Sequence, residues 1–361
     1  MLTVGPASLD PRARRAAAAA DPTGTTVKSI TAARPRTPKG AETASRSELA
    51  ASRSSESHKH QKLRRIRALR HARGSARLLR SAQRSARILS SSGRVSEGNV
   101  IHAHDLDTLP AGWLIARRCN ARLVYDAHEL YTGFDRDPPR VWLWAISRLE
   151  GALARRADAV VTVSEPIAEE LQRRHHLPRK PFVVLNAPPL EEIQLEPHQG
   201  PLRAVYQAAA GPGRHLEDLP DVPGVDVFAR VLGATAAPAH VTLLDPVPPD
   251  ELVRSLVPFD IGLVIDRPET ENARLALPNK LFEYLMAGLA VVVPDVPAMR
   301  ALVERERVGV TYAPGELGDT LTALAQDRPA VEKMRVRARA AAAERYNAEA
   351  QRPALYAAWG I

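Results

Sequence analysis

The sequence predicts an α/β fold built on parallel sheets and divided between two domains. Three observations carry this. From residue 99 onward, short apolar β-branched runs alternate with amphipathic helical stretches, which is the texture of βαβ units rather than of hairpins. Polar clusters fall at the carboxyl ends of successive strand runs, the edge at which open parallel sheets bind ligands. A length of 361 residues with 45% hydrophobic content is enough for two cores.

Composition removes several function classes. No run of about 18 apolar residues is present to cross a membrane as a helix, and no apolar stretch near the start marks a secretory leader, so a cytoplasmic location is expected. One cysteine, Cys119, excludes an internal disulfide and a multi-cysteine metal site; it sits in a helical stretch and reads as structural. The net charge of +9 resides in the tail. Residues 1–95 hold 21 Lys+Arg against 5 Asp+Glu, or +16, whereas the remainder holds 29 against 36, or −7. The folded part therefore carries no basic footprint for nucleic acid, and no specific nucleic-acid partner is expected.

Taken in order, residues 1–58 are rich in Ala, Arg, Ser, Thr and Pro without a sustained period, and are expected to be a disordered basic tail. Its composition also resembles an organellar transit peptide, although compositional bias alone accounts for it. Between 62 and 89, Arg recurs among Leu63, Ile66, Leu69, Leu78, Leu79, Ile88 and Leu89, the pattern of one or two basic helices. These are either a solvated face over a core stripe or, through the segment 62–87, a peripheral contact with an anionic membrane. Strands are expected at 100–101 running into His102-Ala103-His104-Asp105, at 122–125 running into Asp126-Ala127-His128-Glu129, at 159–163 and at 182–185. Helices are expected through Trp113 and Ile115, over 142–156 and over 165–174. The Pro-rich connection at 187–200 separates a first domain, 59–187, from a second, 188–345. In the second, strands are expected at 203–206, 225–231, 241–244, 260–265, 290–293 and 308–312, and helices at 249–257, 297–305, 317–324 and 330–345. A last amphipathic segment, 346–361, is expected to pack back on the first domain.

One stretch carries the most chemistry: Leu277 to Asp295. Pro278 fits a first helical turn, Leu281, Phe282, Leu285 and Met286 recur at helical spacing, and Gly288 is a natural stop before the buried run 290–293. Lys280 and Glu283 lie near the helix start, where free backbone N–H groups favour an anion such as a phosphorylated ligand. Glu283 is suited to accept hydrogen bonds from two vicinal hydroxyls, or is a solvated helix charge. Lys280 is a phosphate partner or a surface lysine. Gly211-Pro212-Gly213 before Arg214 is a turn that could also form a phosphate loop, with the guanidinium fork matching phosphate oxygens. His128, flanked by Asp126 and Glu129 with Asp105 ending the neighbouring strand, is structural or catalytic. Asp107 and Thr108 read first as helix caps.

The segments 100–130, 157–188, 245–265 and 277–295 resemble the retaining nucleotide-sugar glycosyltransferases of the GT-B fold, specifically the group 1 or family 4 bacterial enzymes of polysaccharide and lipopolysaccharide synthesis. The resemblance implies two Rossmann-like domains, the second holding a nucleoside-diphosphate sugar. It implies transfer without a metal or other cofactor to an acceptor that is a saccharide, a lipid-linked molecule or a small molecule. It assigns Glu283 to the ribose, Lys280 and Arg214 to the diphosphate, with the backbone of Pro278, Asn279 and Lys280 and the loop at Gly213. His128 falls to the transferred sugar, with Asp105 and Glu129 beside it. Leu275 stands where many members carry a second glutamate, and Ala208 and Ala209 replace a common glycine and arginine. A first domain of this family should open with a strand, a Gly-rich loop and a helix. Residues 1–58 carry no such pattern, so the first sheet is expected to lack its opening strands, or the start of the reading frame is aberrant. The other functional reading is an impaired scaffold that binds nucleotide or carbohydrate without transfer.

Overall fold

The computed structural model describes residues 2–4, 16, 19, 30–32, 99–133, 140–195, 199–208, 215–265 and 268–361. The chain divides into two compact units. The first comprises Met1–His128, Asp135–Val160 and Gln172–Lys180; the second comprises Glu129–Phe134, Val161–Leu171 and Pro181–Ile361.

The first sheet contains β1 (Leu2–Val4), β2 (Ile30–Ala32), β3 (Val100–His104), β4 (Arg122–Ala127), β5 (Ala159–Thr162) and β6 (Phe182–Val183), in the spatial order β2-β1-β3-β4-β5-β6. Strand order reverses between β1 and β3, which makes the carboxyl end of β3 one wall of a switch point. β3 and β4 pair in parallel, with His102 opposite Val124 and His104 opposite Asp126. Helix α1 (Asp105–Cys119) follows β3 directly, α2 (Arg140–Ala154) follows β4, and α3 (Glu165–His175) follows β5.

The second sheet contains β7 (Leu202–Ala208), β8 (Val225–Val231), β9 (Val241–Leu243), β10 (Ile261–Leu263), β11 (Ala290–Pro294) and β12 (Gly309–Tyr312), in the order β12-β11-β10-β7-β8-β9 with every pairing parallel. This is the doubly wound dinucleotide-fold order, and its switch point lies between β7 and β10. The helices are α4 (Glu271–Leu275), α5 (Asn279–Ala287), α6 (Pro297–Glu306), α7 (Leu317–Gln326), α8 (Arg328–Glu344) and α9 (Arg352–Trp359). Alternate residues of β11 enter two different cores. Val291 and Val293 pack with Leu281, Phe282 and Leu285 of α5, whereas Ala290 and Val292 pack with Leu317, Leu321 and Leu324 of α7. A strand buried on both faces must be apolar at consecutive positions, which is why 290–293 reads as an unbroken run. Among the described residues no helix is long and apolar enough to cross a membrane.

Several expectations change. The first 58 residues were expected to supply no strand, yet Leu2–Val4 and Ile30–Ala32 pair in parallel with each other, and Leu2 pairs with Ala103 of β3. Ala16 and Ala19 are helical and buried. Each strand is only three residues long, too short to show a period against an Ala/Arg/Ser-rich background. The rest of 1–58 and the segment 62–87 lie outside the described residues. The division of the chain also departs from a cut after Ala187: residues 129–134 and 161–171 join the second unit. There Leu130 N donates to Asn272 Oδ1 at 2.7 Å and Ser164 Oγ donates to Leu275 O at 2.7 Å. The helix expected at 249–257 is a set of turns with a 3-10 turn at Arg254–Leu256. The last helix begins at Arg352 rather than near 346. Asn347 holds the chain out of helix by accepting from Ala350 N and donating to Ala342 O and Ala343 O. Leu185 N, just beyond β6, donates to Gln351 Oε1. Helix α4 was not anticipated from sequence; Thr270 caps it by accepting from Ala273 N.

Candidate active site

In the second unit, α5 begins beside the switch point. Pro278, in extended conformation, is the N-cap of the helix and makes no side-chain hydrogen bond to it; Leu281 N donates to the Pro278 carbonyl. Gly288 closes it in the left-handed region at φ 75°, as the sequence required. Between these ends Tyr284 is fully buried and fastens α5 to both switch-point strands. Its hydroxyl accepts from Gln207 N on β7 at 3.0 Å and donates to Leu263 O on β10 at 3.1 Å. Gly262 makes that approach possible, because a Cβ there would lie 2.3 Å from Cγ of the Tyr284 ring.

This fastening sets the polar groups. Glu283, one turn into α5, accepts from Gln207 Nε2 at 2.5 Å. Gln207 is 5% exposed, and its own Oε1 is buried without a partner among the described residues. The Lys280 ammonium sits 4.7 Å from the centroid of the buried Tyr206 ring on β7. Tyr206 and Gln207 thus bring β7 into a group that sequence reasoning placed on α5 alone. The arrangement presents a carboxylate, a cation and a helix N-terminus without a side-chain cap at the carboxyl edge of a dinucleotide-type sheet, which is the equipment for a nucleotide.

In the first unit, the carboxyl ends of β3 and β4 gather three imidazoles around one carboxylate. Residues two apart on a strand share a face, so His102 and His104 project together, and register places Asp126 beside His104. Asp126 Oδ2 lies 3.1 Å from His102 Nε2, 3.3 Å from His104 Nδ1 and 3.4 Å from His128 Nε2. His104 Nδ1 and His128 Nε2 are 3.0 Å apart, and His128 Nδ1 is 3.5 Å from Asp105 Oδ2. His104 is driven down to about 3 by burial first, then by His102, with Asp126 opposing; its imidazole is neutral at physiological pH. Asp105 keeps 40% of its side chain exposed, and desolvation holds its carboxyl above the ordinary value while His128 pulls it down. Asp105 also takes φ 63°, a left-handed conformation that aspartate tolerates, where β3 turns into α1.

Three such side chains within 4.8 Å could in principle ligate a metal. The ring geometry argues otherwise. His102 and His104 stack at 4.5 Å with 6° between planes, so their in-plane lone pairs lie in two separate parallel planes, a poor arrangement for converging on one ion. The cluster is a hydrogen-bond network.

Two glycosyltransferase models match the chain, one over each sheet: Glycosyltransferase Family 4 over residues 17–189, and Glycosyl transferase-like over residues 214–354. The chain is a GT-B glycosyltransferase. Solved structures agree in fold. Anabaena HepE in complex with UDP-glucose is 15% identical, with a TM-score of 0.59 over 77% of this chain and 81% of that one. The sucrose-phosphate synthase of Thermosynechococcus elongatus is 14% identical, with a TM-score of 0.59 over 76% of each chain. TarM is 11% identical, with a TM-score of 0.57 over 78% of this chain and 58% of its own. No curated protein matches the chain.

The residues expected from sequence sort into three sets on this glycosyltransferase. Pro278, Asn279, Lys280 and Glu283 lie together at the start of α5. Asp105 and His128 lie together in the imidazole cluster, and Glu129 is partly buried in the turn after β4. Gly213 and Arg214 lie outside the described residues. Asp107 and Thr108 do not cap α1: the Thr108 hydroxyl donates backward to His104 O at 2.5 Å and Asp105 O at 3.2 Å. The helix starts three residues earlier than a cap at Asp107 requires. Leu275 ends α4, and its carbonyl accepts from Ser164. Sequence reasoning gave no role to Gln207, Tyr206, Tyr284, His102 or His104. The His-x-His spacing on a strand was the available signal for the last two.

Proposed function

We propose that this enzyme is a retaining glycosyltransferase that moves a sugar from a nucleoside-diphosphate sugar to an acceptor hydroxyl in polysaccharide or glycoconjugate synthesis. The observation that carries this reading is Glu283, held by Gln207 at the β7/β10 switch point one turn into a helix without a side-chain cap. A carboxylate there accepts from the two ribose hydroxyls, and the buried Gln207 Oε1, unpartnered among the described residues, supplies a further acceptor beside it. Lys280, the first N–H groups of α5 and Arg214 take the diphosphate, whose negative charge grows as the bond to the sugar breaks. His128 takes the transferred sugar. In the step itself, the bond from the anomeric carbon to the diphosphate oxygen breaks and the acceptor oxygen bonds to that carbon on the same face. The acceptor proton passes to the departing diphosphate. Protein cations meet the phosphate charge, so EDTA should leave the rate unchanged. HepE crystallised with UDP-glucose adds support for a nucleotide-sugar donor. We place the reaction in the cytoplasm, with the basic segment 62–87 touching anionic lipid, which liposome flotation with and without that segment tests.

The deciding experiment is calorimetry with uridine, guanosine and thymidine diphosphates, followed by turnover with the sugar form of whichever binds. Glu283→Ala should weaken that nucleotide about tenfold to a hundredfold, the loss expected for charged hydrogen bonds. Nucleotide binding insensitive to Glu283→Ala, or no turnover with any nucleotide sugar, would overturn the reading.

A further inference from the structure

The imidazole cluster contains more order than a sugar contact at His128 requires. His104 Nε2 is buried and has no hydrogen-bond partner among the described residues. A neutral imidazole carries one proton, and leaving that N–H donor buried and unmet costs the desolvation of the group. The proton therefore resides on Nδ1, where two acceptors lie within reach: Asp126 Oδ2 at 3.3 Å and His128 Nε2 at 3.0 Å. His102 closes the other side. Its Nε2 donates to the same Asp126 oxygen at 3.1 Å, and its ring lies flat against that of His104, fixing the plane.

The consequence passes outward. His128 Nε2 is the nearer acceptor for His104 Nδ1–H, at 3.0 Å against 3.3 Å to Asp126, and two N–H groups facing each other at that distance would repel; the geometry therefore favours a lone pair on His128 Nε2 and its proton on Nδ1. That nitrogen faces Asp105 Oδ2 at 3.5 Å, on the side of the cluster where the Asp105 carboxylate reaches solvent. We propose that Asp126, acting through His104, is a positioning residue that holds His128 as its Nδ1–H tautomer with Nε2 turned inward. The inference rests on the reading of His128 as a sugar contact for its catalytic meaning, and on the hydrogen-bond geometry alone for its chemistry. Held this way, His128 offers a donor to a sugar oxygen. In the other tautomer it offers a lone pair there and loses that bond. The groups facing His128 from the described elements are His104 on β3, Asp105 on α1 and Asp126 on β4.

Replacing Asp126 by asparagine puts an amide N–H where only acceptors stood, which turns the facing imidazole nitrogen into an acceptor and propagates the wrong tautomer outward. The test is a two-bond proton–nitrogen correlation spectrum of the full chain labelled at histidine nitrogens, near neutral pH, with His128 assigned through His128→Gln. The expected result is a protonated Nδ1 and an unprotonated Nε2 at His128 in the native protein. In Asp126→Asn the proton moves to Nε2, and kcat falls at least about tenfold with the donor KM within about twofold. Nε2–H or imidazolium at His128 in the native protein overturns the proposal. So does an Asp126→Asn protein with both the His128 tautomer and kcat unchanged. Should that variant fail to fold, the native spectrum still decides. Absence of transfer with every nucleotide sugar would sink the transferase reading and leave the tautomer result standing.

Discussion

Acid should destabilise this protein through His104. Its unfolded-state pKa is the ordinary 6.5, and its folded-state value is about 3, because burial penalises the imidazolium. Between these values the unfolded chain binds a proton that the folded chain refuses, so stability falls as pH falls through that window. The contribution is fully present above pH 6.5 and declines below it. At about pH 5, the difference amounts to about 2 kcal/mol relative to neutral pH, a large part of the stability of an ordinary domain. The assay is urea unfolding at the two pH values for the native chain and for His104→Leu, alongside a direct NMR titration of the His104 ring. The native chain should lose about 2 kcal/mol more than the variant on acidification. A His104 ring that titrates near 6, or equal acid sensitivity in the two proteins, would refute the reasoning.

Other outcomes follow from single contacts. Tyr284→Phe removes the hydroxyl that joins Gln207 N to Leu263 O, and should cost about 1–3 kcal/mol in urea unfolding while weakening nucleotide binding through Gln207. Gly262→Ala drives a Cβ to 2.3 Å from the Tyr284 ring, and should destabilise by about 1–3 kcal/mol, read as a lowered unfolding midpoint. Arg335 is fully buried and lies 3.3 Å from the buried carboxylate of Asp260, so Arg335→Ala strands that charge and should cost about 3–5 kcal/mol. Glu283→Gln keeps the shape but loses the charge, and calorimetry should show nucleotide affinity reduced less than in Glu283→Ala.

The parts of the fold that were legible are those in which one physical cause acts along the chain. The run 290–293 is apolar at every position because both its faces are covered, and Gly288 stops α5 because a left-handed residue must follow it. Val225–Val231 was expected at the same limits that the structure gives. The failures have local causes too. Thr108 looked like a cap, but its hydroxyl donates to carbonyls of the preceding turn, a choice that composition does not reveal. Three-residue strands at Leu2–Val4 and Ile30–Ala32 draw their stability from pairing with β3 and with each other, contacts that no periodicity records. At the site, Glu283 and Lys280 were visible as a spacing on one helix. Gln207 and Tyr206, more than 70 residues earlier, were not, because they join the group only through the register that puts β7 beside β10.

That register also explains how the proposed donor site would keep its grip with Leu275 in place of a second glutamate. Glu283 is fixed from two directions: by the helix that carries it, and by the Gln207 amide on the neighbouring strand. The Tyr284 hydroxyl ties helix and strand together one residue further on. A hydrogen bond to a positioned carboxylate loses less entropy on ligand binding than one to a free side chain, so the affinity per contact is higher. Leu275 ends α4, and its carbonyl anchors Ser164; a backbone carbonyl asks nothing of the side chain it belongs to. Leu275→Glu should therefore fold as the native chain does and change only what the added carboxylate touches. An unfolding midpoint lowered by several degrees would show that the leucine side chain itself was needed for the fold.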